Sequence, residues 1–76
     1  MAKQKGKDPD LVALGRRVFE LRESAGLTQE ALAHAAGVHW TLIGQVERGE
    51  RNLTYRNLLK IARGLSVEPA KVMPTK

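Results

Sequence analysis

The chain has 76 residues, 42% hydrophobic and 28% charged, with 13 Lys and Arg against 8 Asp and Glu and no cysteine. That is the composition of one small folded domain. It excludes a disulfide framework and a thiolate metal site, and no apolar run approaches the ~20 residues of a membrane span. The net charge of +5 points to a polyanion partner as readily as to a merely solvated basic surface, and so short a chain has little interior in which to build a catalytic pocket.

Residues 1–9 carry Lys3, Lys5 and Lys7 and no large aliphatic after Met1, and they are read as a flexible basic arm. No apolar stretch follows them, so a secretory signal is not expected. The arm serves solubility, adds non-specific attraction to a polyanion or enters one of its grooves.

Asp8-Pro9-Asp10 then predicts a helix start, with a carboxylate cap, a proline in the first turn and a second carboxylate beside the positive end of the helix dipole. Leu11, Leu14, Val18, Leu21 and Ala25 follow at spacings of three and four and predict one inward face, closed by Gly26. Thr28 predicts the cap of a short second helix from Gln29 to about Ala35, with Leu32 inward and Leu27 packed ahead of it. Gly37 breaks the pattern, and a third helix is expected from Trp40 to Glu47, capped by His39, with Ile43 and Val46 inward and Leu42 partly buried. Gly49 ends it. Thr54 predicts a fourth helix with Leu58, Ile61, Ala62 and Leu65 inward, and Glu68-Pro69 a last turn over Ala70 to Met73. The expected fold is all-α with five short helices.

The segment Gln29 to Arg48 carries the most specific pattern. Ala33 allows two helices to cross closely, Gly37 four residues later suits a corner of positive φ, and Ile43 and Val46 lock the second helix at a steep angle to the first. This is helix-turn-helix spacing. Eight residues at 1.5 Å each make a rod of ~12 Å, which matches a DNA major groove ~12 Å wide. The excess charge also lies nearby, because Arg48, Arg51, Arg56, Lys60 and Arg63 face only Glu50 in one stretch. His34 and His39 have neither cysteine nor enough carboxylates around them for a metal site, Ser24 and Ser66 have no His partner at a motif spacing, and no cofactor or enzymatic activity is expected.

LTQEALAHAAGV followed by IGQVERGERN resembles the Cro/repressor-type (XRE-like) helix-turn-helix family over roughly Leu14 to Val72. HWTLIGQVERGERN is similar in particular to the controller proteins of restriction-modification systems. The resemblance implies a five-helix repressor-like DNA-binding domain over 10–76, acting as a sequence-specific, double-stranded-DNA-binding transcriptional regulator with residues 40–47 in the major groove. By position it implies that Trp40, Thr41 and Gln45 read bases. Gln45 is chemically suited to pair bidentate with adenine. Thr28, Gln29, His39, Arg48, Arg51 and Asn52 are expected at phosphates, and Arg22 with Glu47 as a partly buried, structural ion pair. The controller-like proteins often carry Arg where this chain has Trp40, whose one N–H and large apolar face cannot read guanine bidentately. Trp40 therefore meets thymine methyls or sugar edges, or else it packs on the protein.

One copy can place one such helix, and helix-turn-helix half-sites lie about 34 Å apart, so a homodimer on a palindromic operator is expected. Leu59, Leu65, Val67, Val72 and Met73 are the expected self-contact. RNA polymerase is a further expected partner, and the setting is the bacterial cytoplasm, on the nucleoid when bound. The rival reading is an antitoxin-like module that binds both DNA and a toxin protein.

Overall fold

The computed structural model describes residues 8–74. The Lys3-Lys5-Lys7 arm lies outside them. Five helices follow one another: α1 Pro9–Ser24, α2 Gln29–Ala36, α3 Trp40–Glu47, α4 Tyr55–Leu65 and α5 Pro69–Val72. The described residues contain no strand.

Local chemistry sets the helix starts. The Asp8 carboxylate accepts from the Asp10 N–H at 2.8 Å, Thr28 Oγ1 from Ala31 N–H at 3.0 Å, and Thr54 Oγ1 from Asn57 N–H at 3.1 Å. Each satisfies one of the amide donors that a helix start leaves unpaired. The ends repeat one device. Leu27, Val38, Glu50 and Val67 each donate their N–H five residues back, to Arg22, Ala33, Gln45 and Ala62, and each follows a residue of left-handed backbone. Those residues are Gly26, Gly37, Gly49 and Ser66. The device is the Schellman closure. At Gly37, φ is +74°, and the turn between α2 and α3 depends on a residue with no Cβ.

The core comprises Val18 from α1, Leu32, Ala33 and Ala36 from α2, Leu42, Ile43 and Val46 from α3, Ile61, Ala62 and Leu65 from α4, and Val72 from α5. Helix α2 packs on α3 and α4, while α1 closes over α3 and α5. Two glycines permit close approach. A Cβ on Gly15 would collide with the Val46 carbonyl oxygen, and one on Gly64 would sit 2.9 Å from the Ala36 nitrogen. Arg17 Nε donates to the Lys71 carbonyl at 2.7 Å and ties α1 to the last turn.

Four expectations require correction. Ala25 is exposed at the C-cap of α1, although its N–H still closes a helical bond to Leu21. Leu42 is buried in the core rather than partly covered. The last helix starts one residue early, at Pro69, and Met73 lies beyond it, exposed. Leu65 and Val72 are core residues of the single chain, since α5 folds back to cap the end of α4, and neither is available to a second copy.

Candidate nucleic-acid interface

Helix α3 is held on its inner side by Leu42, Ile43 and Val46, all buried, and at its C-terminal end by an ionic network. Arg22 Nε and Nη2 donate to the two carboxylate oxygens of Glu47 at 2.6 and 3.0 Å. The remaining end of the guanidinium donates from Nη1 to the Leu27 carbonyl at 2.8 Å, and the Phe19 ring lies 5.3 Å from its centre. The two ionic side chains are only 9% and 5% exposed, so the pair is desolvated and bidentate, the geometry in which Arg and a carboxylate bind most strongly. The bond to Glu47 holds the Arg22 pKa above its ordinary value, against the opposing effect of burial. Gln29 Nε2 donates to Glu47 Oε1 at 2.9 Å, so its carboxamide joins this network. That leaves the backbone N–H groups at the start of α2, rather than the amide tip, to face an anion.

The outer side of α3 carries the polar groups. His39 precedes the helix, and its Nδ1 accepts from the Thr41 N–H at 3.1 Å. A nitrogen accepting there has no proton of its own, so the Thr41 hydroxyl, 2.7 Å away, donates to it as well. The imidazole proton then sits on Nε2, and Thr41 Oγ1 offers lone pairs outward. Trp40 is 52% exposed. It stacks on the His39 ring at 5.9 Å between centroids, and so combines contact with the protein and access to solvent. Gln45 is half-buried, and its Oε1 accepts from Arg51 Nη1 at 3.0 Å.

A groove runs between α3 and α4, lined by His39, Thr41, Gln45, Arg51, Asn57 and Lys60. Asn57 and Lys60 were not singled out in the sequence. Lys60 belongs to the late basic stretch, but only the packing of α4 beside α3 brings it to the same face. Beyond the helix, Arg48 is exposed, pairs with Glu50 at 3.1 Å, and runs back over Gly44, where a Cβ would sit 3.1 Å from its Nη1. Asn52 is exposed and turns its Oδ1 to the Leu53 N–H at 2.8 Å. Thr28 caps α2 and is exposed. Trp40, Thr41, Gln45, Arg51 and His39 thus share one surface around α3, while Gln29 and Glu47 serve the support behind it.

Known proteins share both the pattern and the shape. The helix-turn-helix family HTH_3 matches residues 18–72. The chain is 40% identical over 60 residues to the control protein C.SmaI of Serratia marcescens, covering 79% of this chain and 71% of that one. It is 37% identical over 60 residues to the control protein C.BamHI of Bacillus amyloliquefaciens, covering 78% and 74%. The crystal structure of the restriction-modification controller protein C.AhdI from Aeromonas hydrophila superposes with a TM-score of 0.84 at 44% identity, over 87% of this chain and all of that one.

Proposed function

The chain belongs to the HTH_3 helix-turn-helix family of DNA-binding transcriptional regulators, with controller proteins among its relatives, and on that footing we propose that it controls transcription by binding a palindromic operator as a homodimer. Helix α3 enters the major groove with Trp40, Thr41 and Gln45 toward the bases. The observation that carries this reading is the division of one eight-residue helix: its inner side is buried and its last residue is locked to Arg22, while the three readers lie on the accessible side. A rigidly held reader is what sequence discrimination requires.

The supporting contacts go to the sugar-phosphate backbone. Thr28 and the first N–H groups of α2 meet one phosphate, and Arg48, Asn52 and the Nε2–H of His39 meet others. Lys60 adds charge along the groove beside α3. The similarity to C.SmaI, C.BamHI and C.AhdI supports a controller role in a restriction-modification system. At its promoter such a protein represses by occluding RNA polymerase or activates by touching it, according to where the operator lies.

Two copies are needed because one chain, 39 Å in its longest dimension, carries one α3. The second copy meets the face of α4 and α5 where Leu59 and Val67 are half-covered and, with Arg63, Ser66 and Pro69, line a shallow groove. The test is selection of duplexes from a randomised pool, followed by titration of the recovered sequence against the full chain. A palindrome should be enriched, and affinity should fall by roughly three to five orders of magnitude between 50 and 200 mM salt. Equal affinity for recovered and random duplexes, or no salt dependence, would remove the proposal.

A further inference from the structure

Resting on that operator reading, we propose that Arg51 is a positioning residue for Gln45, and that the two together select guanine where an unassisted glutamine would select adenine.

A glutamine carboxamide is ambiguous as a base reader. Turned one way it donates and accepts in the order that suits adenine N7 and N6; turned by half a revolution it presents the reverse. Nothing in the residue itself decides. In this chain the ambiguity is removed from outside α3. Arg51, six residues on and past the helix end, reaches back to donate from Nη1 to Gln45 Oε1 at 3.0 Å. The partner has a fixed charge and no acceptor, so the bond has one polarity only: the carboxamide oxygen faces Arg51, and the Nε2–H₂ group faces away from it.

What the pair offers a base follows from this. Gln45 contributes the two hydrogens of Nε2, and the guanidinium bonded behind it contributes its charge rather than a base contact. The local potential is positive. Guanine places two acceptors, O6 and N7, on the major-groove edge, whereas adenine places its N6 amino group where guanine has O6. A donor-rich, positively charged tip attracts the first edge and repels the amino group of the second. Both side chains line the groove between α3 and α4, open to solvent and to a duplex.

Electrostatics also supports the bond in the bound state. Excluding water from between protein and duplex strengthens a charge-assisted hydrogen bond. Arg51 has several N–H groups and so keeps Gln45 while others meet the sugar-phosphate backbone.

The experiment uses the full chain and the duplex recovered from the randomised pool. At each operator position the four bases are compared by competition binding for the wild type, Gln45→Ala, Arg51→Met and the double variant. Met keeps the aliphatic stem of Arg and removes every donor. Circular dichroism confirms that each variant is helical. The position whose preference disappears in Gln45→Ala should hold guanine for the wild type. In Arg51→Met the same position should move toward adenine, with the guanine-to-adenine ratio changing by about tenfold or more, while other positions keep their bases. The double variant should match Gln45→Ala at that position. A base other than guanine there in the wild type overturns the inference. So does Arg51→Met weakening every duplex alike with preferences unchanged, since that is the signature of a phosphate anchor. A wild-type chain that enriches no sequence fails the operator reading itself, whereas an enriched operator without the shift at this position fails the Arg51 inference alone.

Discussion

Among individual residues, Glu47 carries the most structure. Its carboxylate receives both Arg22 and Gln29, from helices α1 and α2, and it sits on the last turn of α3. Removing it leaves the buried Arg22 guanidinium with only the exposed Glu23 carboxylate, 3.5 Å from Nη1, and without its bidentate partner. Glu47→Ala should cost about 3–5 kcal/mol, read as a lower urea midpoint. The pH dependence of Arg22 has a definite sign. Its folded-state pKa is raised by the bond to Glu47, so its contribution is fully present below the unfolded value and is lost only as pH rises through the higher folded one. Both lie beyond the alkaline range in which proteins are handled, so mild alkali should leave this contribution intact where Glu47→Ala removes it. His39 has a smaller, double role. His39→Ala should cost about 1 kcal/mol of stability through the lost cap and should also release the Thr41 hydroxyl, whereas His39→Asn should restore the cap without the tether. Thermal unfolding reads the first effect, and base preference at the Thr41 position reads the second.

At the level of helices, starts and stops were readable in the sequence because they are made by neighbours: Asp8, Thr28 and Thr54 cap from within three residues, and Gly26, Gly37 and Gly49 close the ends. Side-chain destinations were less readable. That Gln29 turns to Glu47 and Arg51 to Gln45 depends on how helices distant in sequence come together, and periodicity carries no such information. Gly15 was hidden for the same reason. In a linear reading it is a weak spot in the middle of α1, and only the crossing of α1 over α3 shows that the Val46 carbonyl fills the space of its missing side chain. Gly15→Ala should therefore reverse the usual helix-propensity gain and destabilise by about 3 kcal/mol, measured by chemical denaturation. Ser66 is the converse case. It occupies a left-handed position, φ +60°, that glycine holds at the three preceding helix ends. Ser66→Gly should raise stability by up to about 1 kcal/mol, or a melting temperature higher by roughly 4–8 °C.

For the whole molecule, two copies must be joined without disturbing either core. Leu65 and Val72 belong inside each chain, which leaves Leu59 and Val67 in the groove at the α4–α5 edge, with the exposed Met73 just past α5. Leu59→Glu should yield a folded monomer by sedimentation, with operator affinity lowered at least a hundredfold and the circular dichroism unchanged. A second whole-molecule property follows from the way α3 is built in. Ile43 and Val46 have no solvent-exposed surface, and Glu47 is fastened to two other helices. Freeing α3 therefore means dismantling the body that holds it. Past its exposed first turn, its helix-bonded amide protons should exchange with deuterium only as fast as the entire domain opens, with the same free energy as global unfolding. A reader with no loosened intermediate has no conformational dial to turn. The number of molecules per cell is then the variable that sets how much operator is covered, and synthesis and degradation become the means of control.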